Sequence, residues 1–308
     1  MAASGTVLVT GASGFLGAWI IRRLRAEGRE VVALDLAADP RRLALVLRGE
    51  TISGVRWVGA DITDAGAVLD LVAETRPEAI IHLAGLLIPT CRADPLAGVR
   101  VNLLGHTHVF EAARRHGVAR VIYTSSAAAK PRGEHNRVAN LYGATKAAGE
   151  EIARFYAEDH GLASLGLRPV VVYGVGRDGG ETAVATLAMR AAALGEAYEI
   201  PWSSRTVFQL GRDVGEAFVK AALTPFEGAV VSDITTDTQT MVDVVAAIKA
   251  AVPDARITLG SVVRPSPETA YDNAPLERII GPVPATTLDS GTAETIAHFK
   301  ALRTLGMI

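Results

Sequence analysis

The chain has 308 residues, enough for one large domain or two unequal ones with a core that needs no disulfide or metal staple. Its 31 basic and 33 acidic residues leave a formal charge of −2, which gives no footprint for nucleic acid and no basic run for a membrane surface. Hydrophobic residues at 49% exclude disorder, and the single cysteine, Cys91, excludes an internal disulfide. The run at 6–9 is too short for a signal-peptide core, and no window holds eighteen uncharged apolar residues, so a cytoplasmic protein is expected.

In chain order, apolar runs at 6–10, 30–35, 55–60, 79–83, 119–124 and 166–172 read as buried strands. Between them, 15–27, 64–75, 95–116 and 141–160 carry apolar positions at helical spacing. Such alternation predicts a doubly wound α/β fold of Rossmann type, a parallel sheet with helices on both faces. After residue 174 the pattern loosens. Gly174, Gly176, Gly179 and Gly180 mark a loop, followed by an Ala-rich helix near 182–194, a strand at 229–232 and a helix at 240–250. A Pro-studded stretch then runs from Pro265 to Pro284. The expected division is a cofactor-binding domain over 1–174 and a smaller C-terminal substrate-binding lobe over 175–308, with the chain free to interweave between the two.

The first strand runs into Thr10-Gly11-Ala12-Ser13-Gly14-Phe15-Leu16-Gly17. Gly11 lets the chain turn, Gly14 lets backbone N–H groups approach a pyrophosphate, and Gly17 lets the helix pack close. Glycine triplets are common in loops. Here strand, glycines, helix and second strand fall in the order that a dinucleotide site requires. Asp35, at the end of the second strand, is placed to accept the adenosine ribose hydroxyls and to repel a 2′-phosphate, favouring NAD over NADP. A solvated turn acid is the plainer account of Asp35, and Arg41 or Arg42 could hold a 2′-phosphate instead. Asp61 is placed at the adenine edge, while the helix cap nearby belongs more naturally to Thr63 or Asp64.

Tyr142 and Lys146 lie four apart at the start of a helix, on one face. Alone this spacing is weak. Ser125 and Ser126 strengthen it, because they follow the strand 119–124 at the carboxyl edge of the sheet, where ligands of such sheets bind. A nearby ammonium favours the phenolate of Tyr142, so Ser126 can hold a substrate oxygen while Tyr142 exchanges its proton.

These motifs together resemble the extended short-chain dehydrogenase/reductases, also called NAD-dependent epimerase/dehydratase proteins. The matching segments are TGASGFLG at 10–17, DITD at 61–64, HLAG at 82–85, VN at 101–102, TSS at 124–126, YGATK at 142–146 and LRPVVVYG at 167–174. The resemblance covers roughly the first 175 residues. It implies a catalytic Ser126–Tyr142–Lys146 triad and NAD as cofactor. It also implies cofactor contacts from Gly11, Ser13, Gly14, Phe15, Leu16, Gly17, Asp35, Asp61, Ile62, Leu83, Ala84, Gly85, Asn102, Tyr142 and Lys146. By the same likeness the helices 95–116 and 141–160 would pair two subunits into a homodimer.

Val171 departs from the family, because many nucleotide-sugar members carry an Asn there. Arg205 is a loose match to an Arg that serves the diphosphate, and QLGRDVGEA at 209–217 follows its family pattern only roughly. Candidate substrate contacts are Ser125, His135 in the loop 130–141 with Arg132 and Asn136 beside it, Arg205 and Arg212. No metal is expected: His106, His108 and His116 share a helix without a ligand spacing and read as a satisfied or solvated face. Cys91 reads as a space-filler, and Trp202 and Phe208 as packing. The expected activity is hydride transfer between NAD and a secondary alcohol of a small sugar, sugar acid or polyol. The alternative is a nucleotide-sugar epimerase or dehydratase. A non-catalytic NAD sensor, the third class, would have lost Tyr142 or Lys146.

Overall fold

The computed structural model describes residues 5–264 and 270–308. Its first half repeats strand and helix: β1 (Thr6–Thr10), α1 (Phe15–Ala26), β2 (Glu30–Asp35), α2 (Arg41–Val46), β3 (Val55–Gly59), α3 (Ala65–Thr75) and β4 (Ala79–His82). Two short helices, α4 (Ile88–Ala93) and α5 (Pro95–Val99), lead through a π-helical segment, Arg100–Gly105, into α6 (His106–Arg115). Next come β5 (Arg120–Thr124), a 3-10 turn at Ala127–Ala129, α7 (Leu141–His160) and β6 (Ala163–Arg168). Then follow β7 (Val171–Tyr173), α8 (Val184–Leu194), β8 (Tyr198–Ser203), β9 (Arg205–Leu210), α9 (Gly211–Leu223) and β10 (Ala229–Asp233). The chain closes with β11 (Thr238–Thr240), α10 (Met241–Ala251), β12 (Ile257–Val263), α11 (Ala274–Ile280) and α12 (Leu288–Thr304).

Seven strands form one parallel sheet in the order β10-β6-β5-β4-β1-β2-β3. Successive side chains serve opposite cores. Val7 and Val9 of β1 pack with Ile20, Leu24 and Phe218, whereas Leu8 packs with Val68, Val109 and Phe110 on the other face. Helices cover both faces, which is why the central strands are apolar at their middle positions, while the outer strand β3 carries the exposed Arg56. Strand order reverses between β1 and β4, and that reversal opens a crevice at their carboxyl ends.

Two expectations change. The run 166–172 is two strands, because Pro169 lacks an N–H and breaks the ladder. β6 stays in the large sheet, and β7 joins a three-stranded sheet, β11-β9-β7. The run 95–116 is helical as expected, and a π-helical turn within it carries Asn102. β10, expected in the smaller lobe, is the edge strand of the large sheet, reached through α9, which packs on α1. Of the Pro-studded stretch, residues 265–269 lie outside the described residues, and part of the remainder forms α11. Among the described residues no helix is long and apolar enough to cross a membrane.

Candidate active site

At the end of β1 the chain turns at Gly11 with φ +69°, and a Cβ there would lie 2.6 Å from the Ala84 amide nitrogen. Only glycine satisfies both the dihedral and the contact. Gly14 caps α1, and a Cβ on Gly17 would stand 2.4 Å from the Ala12 carbonyl oxygen. The first turn of α1 thus opens beside the loop with free backbone donors.

A cleft of about 350 Å³ follows the carboxyl ends of β1, β2 and β4. Gly11, Gly14, Asp35, Asp61, Ile62, Leu83, Ala84 and Gly85 line it, together with Thr10 and Val101 from the quoted motifs and Leu34, Leu36, Ala60 and Leu86, which lie outside them. Asp35 accepts the Ser13 N–H at 2.9 Å and the Leu36 N–H at 2.8 Å, one on each carboxylate oxygen, and keeps lone pairs for a further donor. Asp61 accepts from the Thr63 N–H at 2.8 Å, and the cap of α3 falls to Asp64. The Ser13 hydroxyl accepts from the Asp39 N–H. Phe15 and Leu16 differ from their neighbours: the Phe15 ring lies against Gly174, Gly176 and Gly211, and Leu16 packs on the core, which leaves only their backbone to face the cleft. A turn, an open helix terminus and an acid at the second strand's end suit an adenosine dinucleotide.

Ser126 leaves β5 and caps the 3-10 turn by accepting from the Ala128 N–H at 3.1 Å. Asn140 caps α7, accepting from the Gly143 N–H at 2.9 Å, and starts the helix one residue before Tyr142. The Lys146 Nζ donates to the Thr124 carbonyl at 2.7 Å and stands 5.8 Å from the Tyr142 ring centre. Burial pushes the Tyr142 phenol up, against the opposing pull of a hydrogen bond with Ser126 and of the Arg177 guanidinium. Burial draws the Lys146 ammonium down to about 8. Ser126, Tyr142 and Lys146 therefore meet at the carboxyl edge of the sheet.

Asn102 works from below. Its amide accepts the Leu86 N–H at 2.6 Å and donates to the Leu86 carbonyl at 3.0 Å and to Thr145 Oγ1 at 3.3 Å, tying the loop after β4 to α7. Cys91 is buried beside Ala128 and Tyr142, and burial raises its thiol. The helix histidines are accounted for by hydrogen bonds or exposure. His106 Nε2–H donates to the Gly149 carbonyl, His108 Nδ1–H donates to the Ile62 carbonyl, and His116 is exposed.

Two candidate substrate contacts are corrected. Ser125 is 1% exposed and gives its hydroxyl to Glu150 behind the edge, because the strand pleat turns it opposite to Ser126. Arg212 points to α12, held by Asp213, Thr286 and Glu294, on the face away from Tyr142. Arg205 is exposed at the start of β9, and its Nε donates to Thr238 Oγ1 at 3.1 Å. His135 sits exposed in a turn closed by the Arg132–Arg137 bridge, with Asn136 at φ +43°. Arg177 was not legible as a site residue. It follows the glycines after β7 and stands 6.0 Å over the Phe15 ring, and its Nε is buried without a hydrogen-bond partner among the described residues. A lone arginine in a glycine loop at a strand's carboxyl end is the signal that could have found it.

Fold and site define a dinucleotide-dependent enzyme of the Rossmann type. The model of the NAD dependent epimerase/dehydratase family matches residues 7–234, and the chain belongs to that family, whose members use NAD. It is similar to a UDP-glucose 4-epimerase of Mycolicibacterium smegmatis, 31% identical over 95% of this chain and 98% of the relative. The crystal structure of the Thermus thermophilus UDP-glucose 4-epimerase complexed with NAD superposes with a TM-score of 0.76 at 26% identity, covering 96% of this chain and 99% of that one. MoeE5 in complex with UDP-glucuronic acid and NAD superposes with a TM-score of 0.77 at 26% identity, covering 96% and 98%.

Proposed function

We propose that this protein is an NAD-dependent sugar-nucleotide epimerase acting on a ring hydroxyl carbon. The observation that carries it is the extent of the similarity: likeness to a UDP-glucose 4-epimerase runs over 95% of the chain, through the substrate lobe where the motifs run out. In this reading Ser126 holds the substrate hydroxyl and Tyr142 takes its proton. Lys146 stays charged near neutral pH, and the Arg177 guanidinium pulls the Tyr142 phenol towards its phenolate form. NAD, bound along the Gly11–Gly17 loop with Asp35 at its ribose, supplies the hydride acceptor. Residues 1–174 together with β10 hold the cofactor, and the remainder of 175–308 closes on the substrate.

A second reading, net dehydrogenation of a free sugar or sugar acid, is favoured by Val171. It is 6% exposed and offers methyl groups where many relatives offer an amide. Mixing the protein with NAD and UDP-glucose separates the two. Formation of the epimer without accumulating NADH supports the epimerase. Accumulation of NADH with sugar acids, and none of the epimer, supports the dehydrogenase. We propose a cytoplasmic location, as the single cysteine suggests, and a homodimer, because Leu96, Val99, Leu104 and Phe155 expose large apolar side chains on α5, the π-helical segment and α7. Sedimentation equilibrium of the wild type and of Phe155→Glu reads the dimer directly.

A further inference from the structure

Glu150, Arg168 and Ser125 come from α7, the end of β6 and the end of β5, and meet in one buried cluster. Arg168 Nε donates to Glu150 Oε1 at 2.7 Å, its Nη2 donates to Oε2, and the Ser125 hydroxyl donates to Oε1. Glu150 is 9% exposed and Ser125 1%. Removing two charges from water is expensive, and an apolar trio of similar volume stabilises a fold as well or better. Arg168 keeps 21% of its side chain exposed, so the cost falls mainly on Glu150, and an acidic side chain held there asks for a use beyond stability.

Its position supplies one. Ser125 precedes Ser126, and Glu150 lies one helical turn beyond Lys146 on the same face of α7. The carboxylate thus joins the strand end that bears Ser126 to the helix that bears Tyr142 and Lys146. Two backbone bonds brace the same junction, from the Ser125 N–H to the Leu167 carbonyl at 2.8 Å and from the Ala127 N–H to the Pro169 carbonyl at 3.3 Å. Around Lys146 stand Tyr142 and Glu150 on α7, Cys91 on α4, His82 on β4 and His106 on α6. Burial keeps both histidines and the thiol neutral near pH 7, and Glu150 is the acidic side chain of that set.

We propose that Glu150, clamped by Arg168, is a positioning residue of the catalytic centre: through Ser125 it sets Ser126 against α7, and across one turn it keeps the Lys146 ammonium charged. The proposal rests on the roles given above to Ser126, Tyr142 and Lys146. Its first readout does not need activity. The chain has five lysines, so ¹³C-lysine NMR of the cofactor-free protein, assigned with a Lys146→Arg variant, follows the Lys146 titration alone. In Glu150→Gln the Lys146 midpoint should fall by about half a pH unit or more, as loss of one charge a turn away implies. In Ser125→Ala the midpoint should stay, while kcat falls roughly tenfold with KM and NAD affinity near wild type. If Glu150→Gln does not fold, Arg168→Gln takes its place with the opposite sign, because losing the cation beside Glu150 should raise the Lys146 midpoint. An unmoved Lys146 midpoint overturns the charge role, and full kcat in Ser125→Ala overturns the positioning role. Absence of any sugar activity in the wild type would instead sink the functional reading and leave the Lys146 titration as a valid test.

Discussion

Acid should destabilise this protein through two histidines that the chemistry does not use. His106 is buried between Phe110 and Tyr123, its ring centre 4.6 Å and 5.0 Å from theirs, and His82 lies 5.2 Å away. Burial pulls His106 from 6.5 to about 3, and His82 well below its ordinary value. A base whose folded value is depressed binds its proton in the unfolded chain first. Its contribution is therefore complete above pH 6.5 and is lost as pH falls towards about 3. At about pH 5.5 the unfolded imidazole is ~90% charged while folded His106 is neutral, a loss of about 1 kcal/mol for His106, and His82 adds in the same direction. Urea unfolding of the wild type and of His106→Phe, between about pH 7.5 and about pH 5.5, reads this directly. The substitution keeps a ring and removes one titration, so the pH slope of stability below 6.5 should drop by ~1.4 kcal/mol per pH unit. An unchanged slope would show that His106 is already charged in the folded protein and would refute the account of this cluster. The consequence reaches the site, since His106 Nε2–H donates to the Gly149 carbonyl of α7, between Lys146 and Glu150.

Tyr142→Phe should cut turnover by a hundredfold or more, about 2.7 kcal/mol, and leave NAD affinity by calorimetry near wild type, because only the proton-exchanging hydroxyl is lost; retention of a tenth of the rate would put the proton on another group. NADP should bind at least ~10-fold more weakly than NAD, because the 2′-phosphate would meet Asp35 with like charge, and Asp35→Ser should narrow that gap. Tighter NADP binding by the wild type would hand the adenosine end to Arg41 or Arg42. Gly17→Ala should weaken NAD by ~10-fold or more, since the new Cβ meets the Ala12 backbone at 2.4 Å and must push α1 off the loop. Wild-type affinity in a folded Gly17→Ala would mean that the α1 terminus does not hold the phosphates.

What could be read from the sequence follows the range of the interactions involved. The central strands of the large sheet were legible because both its faces are covered, so their middle positions are apolar whichever way the side chains point, whereas the edge strand β10 was not placed there. The ends of α7 were legible for a local reason: Asn140 accepts from the Gly143 N–H, and Gly161 closes the helix at φ +68°. The glycine loop was legible because Gly11 is required by its own dihedral. Where partners lie far apart in the chain, the pattern was silent. β8 pairs with β12 across more than fifty residues, and its alternation Tyr-Glu-Ile-Pro-Trp-Ser carries a proline that reads against a strand. Ser125 and Ser126 look alike as letters, and only the pleat separates the one that bonds Glu150 from the one that faces Tyr142.

The same distinction explains why the redox half of the site was easier to read than the substrate half. Hydride chemistry needs fixed spacings within short segments, Tyr142 to Lys146 along one helix and Gly11 to Gly17 around one turn, and such spacings survive as motifs. Substrate recognition needs charges brought together from separate elements. Arg212 had the right charge beside the right motif, yet α12 draws it away through Glu294. Arg177 had no motif at all, yet the loop after β7 carries its guanidinium over Phe15 into the electrostatic range of the Tyr142 hydroxyl. Asp178, the carboxylate next to it in the chain, does not neutralise it in an ion pair, because Arg42 takes both its oxygens at 2.8 and 2.9 Å while also donating to the Ser13 carbonyl. The glycine loop and the loop after β7 are thereby latched together on one side of the cleft. That latch leaves Arg177 as a cation facing the phenol, a placement that tertiary packing creates and local pattern does not reveal.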